Sequence, residues 1–164
     1  ALGMAEAVAS VLPKGTFVNC KWPNDVLVEG RKVSGILLES QTVPLGGMDW
    51  LIIGAGLNIA SFPEDVEFPA TSLLRERAKN VTVEMMLETF CLRFLAGYVT
   101  WKKLGFQPTR KAWLRRAAWF GKEITVRLEK ETLIGEFKAL DRDGALILLH
   151  NGDERRITAG DIFV

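Results

Sequence analysis

At Phe120-Gly121 the texture of this 164-residue chain changes, and that change constrains the fold more than any single motif does. Downstream, "KEITVRLEKETLIGEFKALDRDGALILLHNGDERRITAGDIFV" alternates apolar and polar residues and is cut by Glu-Lys-Glu, Asp-Arg-Asp-Gly and Asn-Gly-Asp turns. Four or five short strands in about 45 residues predict a small β-barrel of SH3-like size. Upstream, helical and strand periodicities are interleaved. The chain therefore divides into an α/β piece, residues 1–118, and a small all-β domain, residues 119–164, an α+β architecture in all.

The α/β piece opens on a helix, because Leu2, Ala5, Val8, Ala9 and Leu12 recur at helical spacing. No N-cap residue precedes it, and the expectation is that sequence upstream of Ala1 is missing. Pro13-Lys14-Gly15 breaks the chain, and "TFVNCKW" reads as a strand with Val18, Cys20 and Trp22 on one face and Phe17, Asn19 and Lys21 on the other. Pro23 ends it, since proline donates no hydrogen bond to a ladder and holds Trp22 extended. "VLVE" and "KVSGILLES" form two strands of a hairpin closed at Gly30-Arg31. "TVPLGGMD" is a loop, and "WLIIGAGLNIA" is a strand of the fully buried kind. A loop containing Pro63 and Pro69 leads to a helix capped by Thr82, with Met85, Met86, Thr89, Phe90, Phe94 and Tyr98 near one stripe and an end near Gly105. A short helix follows from Pro108 to Ala117.

Composition narrows the function classes. Hydrophobic residues at 48% and charged residues at 25% describe a globular chain with a real core. Basic and acidic residues nearly cancel, 21 against 20, so no global field draws in nucleic acid or an anionic membrane. The basic run Arg110 to Arg116 reads as a solvated helix face. Cys20 and Cys91 lie in apolar segments and read as buried free thiols, which fits a reducing, cytoplasmic setting. A single histidine and no C-x-x-C argue against a zinc site, and His150 reads as a turn residue beside Asn151-Gly152. No apolar run approaches the roughly 18 residues of a membrane span.

Chemistry is expected where side chains are missing. In "WLIIGAGLNIA" a two-residue period puts Leu51, Ile53, Ala55, Leu57 and Ile59 on a core face. Trp50, Ile52, Gly54, Gly56 and Asn58 fall on the other face. Two glycines on one face leave room for another backbone or a ligand, and Gly35 repeats the device in the neighbouring strand. Together they predict a flat pocket floor. Lys21, fixed by the Trp-Pro that follows, is a cation on a rigid element beside that floor, suited to a carboxylate or phosphate. Trp22, Pro23, Asn24 and Asp25 read as a rigid placing turn, with Asn24 and Asp25 capping it through nearby backbone. "GAGLN" lacks the third glycine and the following helix of a dinucleotide fingerprint.

The stretch "KWPNDVLVEGRKVSGILLE", Lys21 to Glu39, followed by "IGAGLNI", Ile53 to Ile59, resembles the biotin protein ligase family. The helices and C-terminal barrel, in that order, extend the resemblance over essentially the whole chain. It implies a class II synthetase-like catalytic domain, here partial, built on a mixed sheet with packed helices and followed by an SH3-like domain. It implies joining of biotin to ATP with Mg²⁺ to give biotinyl-5′-AMP, then transfer to a lysine of a biotin carboxyl carrier protein. Lys21 is then the active-site lysine, touching the biotin carboxylate and the phosphate oxygens. Gly35, Ile36 and Leu37, with Gly54 and Gly56, form the biotin wall, and Asn58 lies near the adenylate phosphates or their Mg²⁺. The family's Gly/Arg-rich loop and Ser/Thr segment, expected upstream of the first helix, are not in the sequence, nor is a DNA-binding helix-turn-helix. The expectation is a C-terminal two-thirds of a ligase that alone binds adenylate poorly and has little activity. Lipoate ligation and a non-catalytic interaction module remain open as alternatives, as does assembly into a homodimer.

Overall fold

Glu29 and Gly30 hold positive φ angles of 48° and 76°, a two-residue turn whose twist matches that of the strands it joins. It connects β2 (Asp25–Val28) to β3 (Arg31–Thr42), and sets Val28 opposite Arg31. The computed structural model, which describes residues 1–43 and 46–164, builds a four-stranded sheet around this hairpin. Its order is β1 (Val18–Lys21), β2, β3 and β4 (Met48–Leu57). All named neighbours are antiparallel. The mixed character expected of the sheet is confined to two isolated parallel bridges, Cys20 with Ala117 and Lys32 with Ala70. The expected loop over 42–49 includes Pro44 and Leu45, which lie outside the described residues.

Three helices complete this part: α1 (Leu2–Val11), α2 (Val83–Leu104) and α3 (Gln107–Leu114). Thr82 caps α2 as expected, its hydroxyl accepting from the Met85 N–H at 3.2 Å, and Gly105 closes it with φ 73°. A Cβ placed on Gly3 would lie 3.2 Å from the Phe94 backbone nitrogen, so α1 approaches the α2 backbone closely there. Within the expected α2 stripe, Met85, Met86 and Phe90 pack against the core, but Phe94 and Tyr98 are exposed.

The all-β part contains β5 (Glu123–Arg127), β6 (Thr132–Leu140), β7 (Leu146–His150), β8 (Asp153–Ile157) and β9 (Asp161–Phe163). They form one antiparallel sheet in the order β8-β7-β6-β5-β9. Alternation places Ile124, Val126, Leu133, Phe137, Leu146, Leu148 and Ile162 inside. Trp113 of α3 reaches the same core, with ring centroids 6.4 Å from Phe137, so one hydrophobic cluster spans both parts. His150 ends β7 beside a turn in which Asn151 and Gly152 both have positive φ.

Three expectations are corrected. β4 is not a buried strand: Leu51, Ile52 and Ile53 are exposed, and Ala55 with them. β4 pairs with β3 alone, and no described element covers either face of its outer half. Its apolar run carried the signal of a doubly covered strand without the cover. Cys91 is exposed on the outward side of α2, whereas Cys20 is buried in β1. The basic run is not a purely solvated face, because Arg110 donates through Nε to the Leu140 carbonyl at 2.7 Å and docks α3 onto the barrel.

Burial pushes the Cys20 thiol up to about 11, so it holds its proton at neutral pH. A thiol reagent at neutral pH is expected to label Cys91 promptly and Cys20 only on unfolding, which mass spectrometry of the labelled peptides would resolve. Comparable labelling of both in the native state would contradict the packing around β1.

The turn before β7 supplies an acid-sensitive contact. Partial burial works against ionisation of Asp141, yet Arg156 at 2.5 Å and the N–H groups of Asp143 and Ala145 hold its carboxyl down to about 2. A depressed carboxyl stabilises the fold above its unfolded pKa, about 3.9, and that contribution disappears as pH falls through the folded value. Asp141→Asn is therefore expected to lower the urea midpoint near neutral pH, with the gap to the parent closing between about pH 4 and about pH 2. A gap independent of pH would show that the carboxylate charge is not what matters.

Candidate active site

The glycines foreseen as a floor do meet. Across the β3–β4 pairing Gly35 faces Gly56 and Leu37 faces Gly54. They line a cavity of about 550 Å³ walled by Ile36 and Leu37 and rimmed by Asn24, Asp25 and Lys32. A Cβ on Gly54 or Gly56 would meet only ordinary contacts, at 3.7 Å and 3.8 Å from backbone oxygens of β3. Packing within the chain therefore does not require these two positions to be bare, and their emptiness leaves volume for something else. Gly35 differs, because a Cβ there would sit 3.2 Å from Lys32 Nζ and 3.3 Å from Asp25 Oδ1.

Lys21 lies behind that rim. It ends β1 with only 5% of its surface exposed, and its Nζ is 3.9 Å from Asp25 Oδ2. Lys32 takes the other carboxylate oxygen at 2.7 Å, so Asp25 bridges two cations at the mouth of the cavity. Burial pulls the Lys21 ammonium below the ordinary lysine range, and the Asp25 carboxylate opposes that pull. The result is a desolvated cation at the edge of an open, glycine-floored cavity with polar groups on its rim, a setting that strengthens attraction for an entering anion.

The turn after Lys21 is tied across the fold rather than to itself, which corrects the expected self-capping. Asn24 donates from Nδ2 to the Ile36 carbonyl at 2.7 Å, and the Ile36 N–H returns to the Asn24 carbonyl at 3.1 Å. Trp22 is buried and donates from Nε1 to the Gly144 carbonyl at 3.1 Å, with Pro23 beside it on a separate cavity of about 380 Å³. Asn58 stands one residue past the end of β4, outside the residues that line the glycine-floored cavity. Its Nδ2 donates to the Thr71 carbonyl at 3.0 Å and its backbone N–H to that of Val33 at 2.8 Å.

Several residues of the site carried no readable signal. Phe68, Phe163, Asp161 and the pair Glu67 and Arg127 surround Lys21 or the cavity, but they come from a loop and from the far end of the chain. Lys32 was within reach, since it lies inside the motif that contains Lys21 and Gly35. Among the described residues no three His, Cys, Asp or Glu side chains converge as a metal site, and no helix is long and apolar enough to cross a membrane.

Two family models match in sequence order. The first, Biotin/lipoate A/B protein ligase family, covers residues 1–115, and the second, Biotin protein ligase C terminal domain, covers residues 120–164. The chain is 34% identical to the biotin–[acetyl-CoA-carboxylase] ligase of Paracoccus denitrificans, over 99% of its own length and 70% of that protein's. It is 30% identical to the bifunctional ligase/repressor BirA of Bacillus subtilis, over 90% of its own length and 46% of the relative's. The chain thus spans about half the length of the repressor-type relative. The apo biotin protein ligase of Aquifex aeolicus superposes with a TM-score of 0.81 at 25% identity, covering 99% of this chain and 70% of that one. The Aquifex aeolicus enzyme in complex with biotin and ATP gives a TM-score of 0.78 at 23% identity, with 99% and 67% covered.

Proposed function

The chain belongs to the biotin/lipoate A/B protein ligase family, and from that premise we propose that it is the catalytic sheet and C-terminal domain of a biotin protein ligase, divided near residue 118. A biotin carboxylate oxygen attacks the α-phosphorus of ATP, the bond to the β-phosphate breaks, and pyrophosphate leaves. A lysine amine of a biotin carboxyl carrier protein then attacks the acyl carbon of biotinyl-5′-AMP. The new amide forms as the acyl–phosphate bond breaks, and AMP leaves as the amine proton is lost.

The observation that carries this reading is the bare floor of Gly35, Gly54 and Gly56 beside a buried ammonium. The floor and the exposed Leu37 side chain on the same face suit the ring and chain of biotin. Lys21 suits the carboxylate and the charge that builds on the phosphate oxygens. Asn58 is assigned near the phosphates, where its amide would first have to leave Thr71. Mg²⁺ arrives with the ATP phosphates in this reading; no three acidic side chains among the described residues converge to hold it, and no step is assigned to it. Biotin is preferred to lipoate because residues 120–164 match the biotin protein ligase C-terminal domain. A cytoplasmic setting follows from ATP and carrier as substrates, and a homodimer is one assembly open to the protein.

Calorimetry with biotin and with biotinyl-5′-AMP, together with pyrophosphate release on adding ATP and Mg²⁺, tests the assignment. Gly56→Leu should weaken biotin binding about tenfold or more, a loss of at least about 1.4 kcal/mol, while the chain stays folded. Equal affinity of parent and variant, or a preference for lipoate over biotin, would overturn it.

A further inference from the structure

The Lys21 ammonium lies beside two aromatic rings that come from separate parts of the chain. Its Nζ stands 3.8 Å from the centre of the Phe68 ring and 5.4 Å from that of Phe163. Phe68 belongs to the loop after β4, and Phe163 to the last strand of the barrel. Neither ring is free to drift. Two residues after Phe68 the chain pairs with β3: the Lys32 N–H donates to the Pro69 carbonyl at 2.8 Å and the Thr71 N–H to the Lys32 carbonyl at 2.9 Å. The outer side of Phe68 meets Trp119 edge-on at 6.1 Å. Phe163 pairs with Thr125 in the barrel sheet and carries the Arg127 guanidinium over its ring at 4.3 Å.

The same guanidinium closes the arrangement. Arg127 of β5 grips Glu67, the neighbour of Phe68, through two contacts at 2.5 Å and 3.1 Å. Glu67, Arg127, Phe163, Lys21 and Phe68 thus form a closed circuit between loop, barrel and catalytic sheet. An exposed ion pair by itself contributes little, but a bidentate one that joins two elements beside a shared ring fixes geometry.

We propose that Phe68 and Phe163 are an aromatic clamp on the Lys21 ammonium, latched by Glu67 and Arg127, so that docking of the C-terminal barrel is what positions the lysine for the reacting anion. This deepens the ligase reading above and rests on it for the identity of that anion. The four residues are positioning residues acting through Lys21. Asp25, Lys32, Asp161 and Glu67 are the charged groups around it, and the rings are what set its direction among them. A ring face attracts an ammonium most strongly when water is excluded, as it is here.

The test is a ¹H–¹⁵N spectrum of the lysine ammonium groups of the whole chain, read beside calorimetry with biotinyl-5′-AMP. In the parent the Lys21 resonance should be displaced upfield by the Phe68 ring. Phe68→Leu should remove that displacement and weaken biotinyl-5′-AMP binding roughly threefold to thirtyfold, whereas Phe68→Tyr should keep both. Glu67→Gln and Arg127→Gln should each shift the Lys21 resonance partway, and the double variant no further than either single one. An unchanged Lys21 resonance in Phe68→Leu, or in both latch variants, would overturn the clamp. A lost displacement with unchanged affinity would overturn its positioning role. If the spectra behave as expected but the parent prefers lipoyl-5′-AMP to biotinyl-5′-AMP, the clamp stands and the biotin ligase reading fails.

Discussion

Replacement of Lys21 by alanine is expected to slow biotinyl-5′-AMP formation by roughly 10²–10³-fold, the usual loss when one preorganised charge-stabilising group is removed from a water-poor site. Biotin affinity should fall far less, because the apolar wall and the glycine floor are untouched. The fold should survive, since Lys32 keeps Asp25 paired at 2.7 Å and deletion of Lys21 relieves the desolvation of a buried cation. Arginine should not rescue the rate, because its planar fork is larger than the buried ammonium that now sits 3.8 Å from the Phe68 ring. Single-turnover formation of labelled biotinyl-5′-AMP from ATP would give the answer, with a thermal midpoint as control. A Lys21→Ala protein that forms the adenylate at the parental rate would end the assignment of this lysine.

Trp22→Ala should have the largest effect on stability, about 3–5 kcal/mol, the range for emptying a buried aromatic site. Trp22 is 4% exposed and belongs to the core cluster that spans both parts, and its indole N–H is committed to Gly144 in the barrel. Trp22→Phe should cost less, because the ring site stays largely filled and about 1 kcal/mol of hydrogen bond is lost. Urea unfolding followed by far-ultraviolet dichroism separates two effects. Loss of packing lowers the midpoint of a single transition, and loss of coupling splits it in two. A midpoint within error of the parent would mean that the tryptophan contributes neither packing nor coupling.

The residues differed in how much they disclosed. Local rules were enough for the Thr82 cap and for the alternation of the barrel, since each depends on neighbours within a few positions, but they put the β2–β3 turn one residue late, at Gly30-Arg31 instead of Glu29-Gly30. The glycine floor was legible because Gly35, Gly54 and Gly56 sit at period-two positions of adjacent strands, and pairing aligned them as expected. What stayed hidden depends on distance along the chain. Nothing in "DIFV" tells that Phe163 reaches Lys21, because a terminal apolar residue in a barrel strand reads as core. The apolar face of β4 was misread for the complementary reason. Hydrophobicity states what a strand tolerates as cover, not whether a cover is in place. Asn24 has the chemistry of a self-capping turn residue, but the fold supplies the Ile36 carbonyl of the neighbouring strand as its partner.

The parallel bridge between Cys20 and Ala117 changes how the two parts are related. The Cys20 N–H bonds to the Arg116 carbonyl and the Ala118 N–H to the Cys20 carbonyl, both at 2.8 Å, on the residue directly before Lys21. The segment that leads into the barrel is thus stitched to β1, and only residues 119–122 separate that bridge from β5. The freedom that a flexible tether would have to surrender at each docking event is already spent when the chain folds. Phe163 and Arg127 therefore start close to the lysine, and swinging the barrel away breaks the Trp22–Gly144 hydrogen bond and the Glu67–Arg127 pair beside it. Opening of the domains and loss of the Phe163 ring from beside the Lys21 ammonium become one event.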